Sequence, residues 1–163
     1  MAQNLRLRAY EEGKDSKADL LPDPARYRRL VGRLIYLTNT RPDISFVVQV
    51  LSQFMHIPTK THMAAALGVI RYLKGTPGHG ILLSAEGNFR LKCFCDADWG
   101  SCPTTRRSVT GYILKLGGSL IKWKTKKQAT ISRSSAEAEY RALGSAVSEI
   151  VWMVGLLSDL GIN

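Results

Sequence analysis

The sequence is poor in acidic residues and in cysteine, and it contains no long apolar run. Only 13 Asp and Glu residues accompany 23 Lys and Arg residues, which gives a formal net charge of +10. An excess of this size predicts attraction to a polyanion, most often nucleic acid, although solubility alone also explains it. No apolar run approaches the roughly eighteen residues of a membrane span, and residues 1–23 contain no apolar signal-peptide core. We therefore expect no membrane partner and no secretion.

The three cysteines exclude the common metal and disulfide patterns. The sequence has no C-x-x-C pair and no Cys/His spacing typical of a zinc site. Cys93 and Cys95 lie two residues apart on a predicted strand, where they cannot easily pair with each other. We interpret the cysteines as reduced packing residues of an intracellular protein, in the cytoplasm or the nucleus.

The first half of the chain is predicted to be helical and basic. Apolar residues recur at helical spacing in three stretches, each with a start signal and a breaker: 24–38, 42–56 and 59–74. The first stretch begins at Asp23-Pro24, an N-cap residue followed by proline at the first helical position. Residues 24–80 carry eight basic side chains and a single acid, Asp43. This pattern predicts packed helices with a basic exterior.

From Ile81 the apolar period changes from helical to two, which is typical of strands. The predicted elements are a strand at 81–83, a turn at Gly87-Asn88, a strand ending at Asp96, and strands at 109–116 and 119–125 joined by a Gly117-Gly118 hairpin turn. The expected fold class is α+β, with three antiparallel strands in one sheet. Its expected divisions are a linker or tail over 1–22, a helical segment over 23–80 and a strand-and-helix domain over 81–163.

A long helix is predicted from about 135 to 159. Ser134 and Glu137 have the spacing of a capping box at its start. The large apolar side chains that follow are expected to form the stripe buried on the sheet: Tyr140, Leu143, Val147, Ile150, Val151, Val154 and Leu157.

The stretch at 93–101, CFCDADWGS, runs a strand pattern into two carboxylates. Because Asp is a poor strand former, Asp96 and Asp98 need an explanation. One explanation is a strand end that turns into solvent at Trp99-Gly100, where Asp and Gly serve the turn. The other is a metal site at the strand terminus, which requires ligands from elsewhere in the chain.

Glu139 is the candidate ligand on the helix. Capping accounts for Glu137, whereas Glu139 lies about 200° further round the helix, directly before Tyr140. It is expected near the edge of the face that packs on the sheet. There it is either a border residue or a site carboxylate.

A basic stretch lies between the hairpin and the helix. Residues 119–133 hold five basic side chains and no acid, and Lys122, Lys124 and Lys126 share one face of the last strand. These lysines form either an ordinary solvated face or a ridge that meets phosphates. On the second interpretation we assign Lys122, Lys124, Lys126 and Arg133 to nucleic-acid binding.

The order of these elements is strand–Asp, strand, Gly-Gly hairpin, strand, helix–Glu. With CDADWGS on the first strand and SSAEAEYRAL opening the helix, it resembles the ribonuclease H domain, most closely that in the Pol polyprotein of copia-type retrotransposons. The upstream segments YRRLVGRLIYLTNTRPDISFVVQVLSQF and HMAAALGVIRYLKGTPGHGILL resemble the thumb and connection region of the reverse transcriptase there. The resemblance extends from about residue 20 to the C-terminus.

The resemblance implies a nuclease that cuts the RNA strand of an RNA–DNA hybrid with two Mg²⁺ ions, or with Mn²⁺ in their place. By motif position it implies that Asp96 is the catalytic strand carboxylate that bridges the metals and that Glu139 is the helix carboxylate. Asp98 is implied only as an outer metal ligand. The lysine ridge would meet the phosphates of the hybrid, which is recognised by shape and backbone.

The sequence also departs from this family. The family continues with a strand that bears a third carboxylate and with a final Asp, whereas the only acids after Glu139 are Glu149 and Asp159, both within the predicted helix. The resemblance therefore implies a C-terminally truncated domain, an incomplete carboxylate site and little activity of the chain alone. It also implies an open sheet edge that invites self-association.

Three functions remain as alternatives. The chain is a Pol segment with residual ribonuclease H ancestry, a non-catalytic nucleic-acid-binding protein derived from a retroelement, or a host-directed effector. The third alternative relies on Leu5-Arg6-Leu7-Arg8, which differs from the Arg-x-Leu-Arg element of some plant-pathogen effectors at its first position. Salt-dependent hybrid binding without metal-dependent cleavage would favour the second alternative over the first.

Overall fold

Three α-helices build the first of two compact units, Met1–Gly80. The computed structural model describes residues 7–85 and 89–162. A 3-10 turn at Lys17–Asp19 precedes helix α1, Pro24–Leu37. The Asp23 carboxylate caps α1 because it accepts hydrogen bonds from the backbone N–H groups of Ala25 and Arg26 at 3.0 and 3.2 Å. The predicted start of this helix is thus confirmed.

Helix α2, Ser45–Ser52, follows a 3-10 turn at Pro42–Ile44 and ends four residues before the predicted limit of 56. Two features oppose its continuation. Pro58 disfavours helical backbone at the residue before it, and the chain beyond Ser52 turns so that the Phe54 ring stacks on His62, with ring centroids 4.0 Å apart.

Helix α3, Lys60–Gly75, begins with a capping box. The Thr59 hydroxyl accepts from the backbone N–H of His62 at 3.3 Å, and Nδ1 of His62 accepts from the backbone N–H of Thr59 at 3.0 Å. Nε2 of His62 lies 3.0 Å from the carbonyl oxygen of Arg8, to which it donates. His62 therefore holds the neutral tautomer and connects α3 to the N-terminal segment.

The core of this unit is formed by one face of each helix: Tyr27, Val31, Leu34, Ile44, Val48, Leu51, Ala66 and Val69. Leu7 and Leu21, from the segment predicted to be a linker or tail, pack against it. The exterior is less basic than expected because Arg41 is buried. Its guanidinium binds the Asp43 carboxylate, with the shorter contact at 2.7 Å, and the carbonyl oxygen of Thr76 at 2.9 Å.

The second unit, Ile81–Asn163, contains an antiparallel sheet in the order β1-β2-β3. Its strands are β1, Leu91–Asp98, β2, Val109–Leu116, and β3, Ser119–Lys127. The Gly117-Gly118 turn joins β2 to β3 as predicted, with Gly117 at φ +57°. The strand predicted at 81–83 is wrong, since those residues have no regular structure; the turn predicted at Gly87-Asn88 lies outside the described residues.

Helix α4, Ser135–Asp159, packs on the sheet with a different face from the one predicted. The buried residues are the small ones at every fourth position, Ala138, Ala142 and Ala146, followed by Met153. Most of the larger residues expected there face outward, with Tyr140 74% exposed. Small side chains allow a helix to approach a strand closely. For this reason the face with the alanines is buried, and the face with the larger apolar side chains is not.

The neutral state of His62 makes the stability of the first unit depend on pH. Burial lowers the pKa of His62 below its ordinary value of 6.5, and the hydrogen bond to the Arg8 carbonyl only partly offsets this. Below pH 6.5 the unfolded chain binds a proton that the folded chain refuses, so the free energy of unfolding falls as the pH decreases. The slope for one proton is at most about 1.4 kcal/mol per pH unit.

We expect urea unfolding, followed by circular dichroism between pH 7.5 and 5.5, to show this loss of stability. The matched control is His62→Gln, because a glutamine at this position of a capping box still accepts from the Thr59 N–H but does not titrate. The variant should have a flatter pH profile. Equal slopes for both proteins would contradict the assignment to His62.

Candidate functional site

The end of β1 that carries Asp96 and Asp98 is attached to the loop before α4. Ala97 is buried against Ala138 and Ala142 of α4, whereas Asp96 and Asp98 are exposed. Since side chains alternate along a strand, both carboxylates lie on the sheet face that points away from α4. The indole N–H of Trp99 donates to the carbonyl oxygen of Ser132 at 3.0 Å. This bond ties the end of the strand to the start of the helix.

The turn after Asp98 is also specified by its sequence. Gly100 has a φ of +61°, and a Cβ atom there would lie 3.3 Å from the Arg106 guanidinium. Its backbone N–H donates to the hydroxyl of the buried Ser108 at 3.1 Å. Trp99-Gly100 therefore serves the turn, as the structural explanation of CFCDADWGS requires.

Glu139 is exposed on the flank of α4 that faces away from β3. At 100° per residue, Glu139 and Arg141 lie on opposite sides of the buried line through Ala138 and Ala142. On its side of the helix, the Arg141 guanidinium donates to the hydroxyl of Thr130, which lies just after β3. Glu139 therefore lies on the side of the free edge of β1, the strand that carries Asp96.

Ala97 and Ala138 belong to one buried cluster. Asp96 directly precedes Ala97 in the sequence, and Glu139 directly follows Ala138. Within residues 7–85 and 89–162, however, no group of three or more His, Cys, Asp or Glu side chains is close enough to hold a metal ion. The described part of the chain therefore does not provide the three-carboxylate set Asp96, Asp98 and Glu139 as one cluster. The catalytic roles of Asp96 and Glu139 stay a prediction.

Glu137 has a structural role, close to the one predicted. Ser134 accepts from the backbone N–H of Glu137 at 3.1 Å, as in a capping box, but the Glu137 carboxylate accepts from the N–H of Arg133 at 2.7 Å instead of from Ser134 itself. This bond and the contact with Arg141 lower the pKa of Glu137. The Arg133 backbone is thus part of the cap. Its side chain lies on the exposed loop before α4.

The lysines of β3 face α4. Lys124 and Lys126 pair with Tyr112 and Thr110 of β2, and paired residues share a sheet face. Tyr112 reaches α4, since its hydroxyl donates to the Glu149 carboxylate at 2.8 Å. The predicted ridge is therefore one wall of a groove between the sheet and the helix.

Lys122 differs from the other two lysines because it is already paired. Its ammonium binds the Glu149 carboxylate and lies 4.5 Å from the ring centroid of Trp152. Lys122 and the Tyr112 hydroxyl lower the pKa of Glu149, so this carboxylate stays ionised. Glu149 was predicted only as an acid within the long helix and was not among the predicted site residues. Glu149 lies eleven residues, about three helical turns, after Ala138, so it falls on the same side of α4 as the buried alanines. This spacing was the sequence signal that could have identified it.

The groove has a volume of about 570 Å³. Its walls are β2, β3 and the polar flank of α4, and they contribute these residues: Arg107, Thr110, Tyr112, Lys124, Lys126, Lys127, Gln128, Ala129, Arg141, Ser145, Ser148 and Glu149. Five of these are basic and one is acidic. Because Lys122 compensates Glu149, the groove has a strong positive charge and is suited to bind phosphate groups.

Comparisons with known proteins identify close relatives. Over 143 residues the chain is 48% identical to the retrovirus-related Pol polyprotein from transposon RE1 of Arabidopsis thaliana, covering 88% of this chain and 10% of that protein. It is 49% identical, with the same coverage, to the corresponding polyprotein from transposon RE2. The chain thus spans about a tenth of the length of these polyproteins.

A third relative is similar in length to this chain. Secreted RxLR effector protein 161 of Plasmopara viticola is 43% identical over 128 residues, which cover 78% of this chain and 90% of that protein. No protein-family model and no solved structure matches the chain.

The position of α4 on the sheet depends on the side chain of Gln128. Its amide nitrogen donates to the Thr110 hydroxyl and to the carbonyl oxygen of Ala138, both at 3.0 Å, and its oxygen accepts from the Ser132 hydroxyl at 2.9 Å. We expect Gln128→Ala to lower the free energy of unfolding by about 1–3 kcal/mol, because it leaves buried polar groups without partners.

Tryptophan fluorescence during urea unfolding measures this effect, since Trp99, Trp123 and Trp152 all belong to the second unit. The control is Ala129→Ser at the adjacent exposed position, for which we expect a change within about 0.5 kcal/mol. Equal stability of the two variants would show that Gln128 does not anchor the helix.

Proposed function

Because this chain belongs to the family of retrovirus-related Pol polyproteins of copia-type transposons, we propose that its second unit is a ribonuclease H-related module that binds nucleic acid through phosphates. The proposal is supported by the order of its elements, with Asp96 near the end of β1, a Gly-Gly hairpin between β2 and β3, and Glu139 in the early turns of α4. The observation that carries it is the cationic groove between the sheet and α4.

The charges of the groove favour a phosphate ligand. Arg107, Lys124 and Lys126 form none of the salt bridges found among the described residues. An uncompensated cluster of cations gains free energy when it exchanges small counterions for the phosphates of a nucleic acid. Thr110 and the serines of α4 add polar groups to the walls. Such a groove contacts the backbone and does not read bases.

An RNA–DNA hybrid is the proposed ligand because the resemblance to ribonuclease H implies it. Hybrids are recognised by shape and backbone, for which a cationic groove is sufficient. Lys124 and Lys126 are the main phosphate contacts, and Lys122 has a smaller role since Glu149 neutralises it. Arg133, at the start of α4, is a further proposed contact.

The incomplete set of carboxylates supports a function in binding, without cleavage by this chain alone. Asp96 and Glu139, with Asp98 further out, are the residues that would hold Mg²⁺ or Mn²⁺, which would supply an activated water and stabilise the leaving oxygen. A two-metal centre needs several carboxylates arranged before substrate arrives. The described residues contain no such cluster, so the donor set does not fit a two-metal centre.

We expect hybrid binding to weaken steeply with salt and to depend on the groove. The double variant Lys124→Gln/Lys126→Gln should bind more weakly and should lower the slope of log K against log salt by about 2, one for each lost phosphate contact. Fluorescence anisotropy with a labelled RNA–DNA hybrid at several salt concentrations measures both quantities.

The chain offers a matched control for this measurement. Lys92 and Lys115 are paired across β1 and β2 on the face that points away from α4, so Lys92→Gln/Lys115→Gln removes the same charge from the same sheet. If both double variants lose affinity equally, binding follows net charge and the groove is not the site. Absent binding of the native chain at low salt would remove the nucleic-acid function altogether.

We further expect negligible cleavage of the RNA strand in Mg²⁺ or Mn²⁺. The measurement compares the native chain with the Asp96→Asn/Glu139→Gln variant on the labelled hybrid, and we expect the two to be indistinguishable because the carboxylate set is incomplete. Metal-dependent cleavage that disappears in the variant would show instead that the chain contains a working nuclease site.

A second candidate function, that of a host-directed effector, has support in the similarity to the secreted effector of Plasmopara viticola. The candidate motif does not add to it. Leu5 and Arg6 lie outside the described residues, Leu7 packs on the first core, and Arg8 binds Asp15 through its guanidinium. Folding thus accounts for the described half of the motif. Failure of the native chain to bind nucleic acid would leave this candidate as the stronger one.

A further inference from the structure

A second apolar stripe of α4 lies beside the buried alanines, on the same flank as Glu139, and most of its side chains are exposed. Its members recur at alternating spacings of three and four residues and form what we call the heptad seam: Tyr140, Leu143, Val147, Ile150, Val154 and Leu157. The helix is held on the sheet by Ala138, Ala142 and Ala146 instead. In the seam, Val147 is 48% and Val154 53% exposed. Apolar side chains of this size in a continuous row mark an interaction surface.

The spacing of the seam indicates the kind of partner. Alternating steps of three and four give a period of 3.5 residues, which keeps an apolar row facing a second helix as the two wind around each other. In heptad notation Tyr140, Val147 and Val154 occupy a positions, and Leu143, Ile150 and Leu157 occupy d positions. Branched residues at a with leucine at d favour two-stranded pairs.

We propose that the heptad seam pairs α4 with α4 of a second copy of this chain, forming a dimer with twofold symmetry. Such an interface uses the same patch on both subunits, so the patch must be complementary to itself. The seam meets this condition because all six positions are apolar and none is charged. Glu149, the acid nearest the middle of the seam, points to the sheet, where it is held by Tyr112 and Lys122.

The length of the seam sets the strength of the dimer. From Tyr140 to Leu157 the helix rises about 26 Å at 1.5 Å per residue. One helix pair of this length gives a contact near or below the lower limit of specific interfaces, about 1,200 Å² in total. The dimer is therefore reversible, and its fraction rises with protein concentration.

Two other occupants of this surface are outcomes of the test. Among the described residues α4 is also the one helix that is long and apolar enough, by length and composition, to cross a membrane. The free edge of β1 offers a separate route to self-association, through backbone hydrogen bonds.

The test is sedimentation equilibrium of the full chain over a wide range of concentrations. We expect the native mass to shift from monomer to dimer, Val147→Glu to weaken the dimer by at least about tenfold, and Val147→Glu/Val154→Glu to be monomeric throughout. The control is Ser148→Glu, which adds the same charge on the polar flank of α4 beside the groove and should dimerise like the native chain.

Several results would overturn the proposal. A native chain that is monomeric at every concentration has no such interface. A dimer that persists in the double glutamate variant uses another surface, such as the β1 edge. Binding of the monomer to phosphatidylcholine vesicles, lost in Val147→Glu, would assign the seam to a membrane. If circular dichroism shows that Val147→Glu unfolds, Val147→Ser replaces it, and an unchanged dimer there would also contradict the seam.

Discussion

The contact between the alanine stripe of α4 and β1 determines the arrangement of the second unit. Ala138 and Ala142 are fully buried and form one cluster with Ala97 of β1. Small side chains let the helix lie close to the strand, which places the polar flank of α4 within reach of β2 and β3. The Gln128 side chain and the Trp99 indole then join the helix and its preceding loop to the sheet. The groove and the outward seam are consequences of this one contact.

A partly buried acid, Glu149, lies beside the cations of the groove. Glu149 accepts from Tyr112 and binds Lys122, so one cation of the β3 row is used for stability and shields the carboxylate from the groove. Of the other groove cations, Arg141 binds the Glu137 carboxylate, whereas Arg107, Lys124 and Lys126 form none of the salt bridges among the described residues. Net charge alone would not have located this site, because other cations, such as Arg41, are consumed inside the first unit.

The groove and the carboxylates of this unit place different demands on the fold. A cationic groove is suited to phosphate groups without a complete metal centre. Binding to a backbone needs cations on one surface, whereas two-metal catalysis needs several carboxylates held at fixed positions. The described residues contain a groove with five basic side chains, and they contain no group of three or more His, Cys, Asp or Glu side chains that could hold a metal ion.

The sequence by itself determined the elements and most of their ends, because these depend on local signals. Asp23-Pro24, Thr59, Ser134 and the Gly117-Gly118 turn act on backbone groups within four residues, and the structure has helices and a hairpin at each of them. The end of α2 was mispredicted because the stacking of Phe54 on His62 opposes its last turn. Residues 81–83 form no strand, and Leu82 and Leu83 remain 84% and 68% exposed.

Only the tertiary structure decided which face of α4 is buried and what the basic residues do. Periodicity showed two apolar stripes on the helix but not that the smaller residues fit against β1, since that depends on how closely two backbones approach. Likewise, alternation placed Lys122, Lys124 and Lys126 on one face of β3. It did not show that Lys122 meets an acid 27 residues later while Lys124 and Lys126 line a groove. Contacts between distant segments are set by packing, which a one-dimensional pattern does not encode.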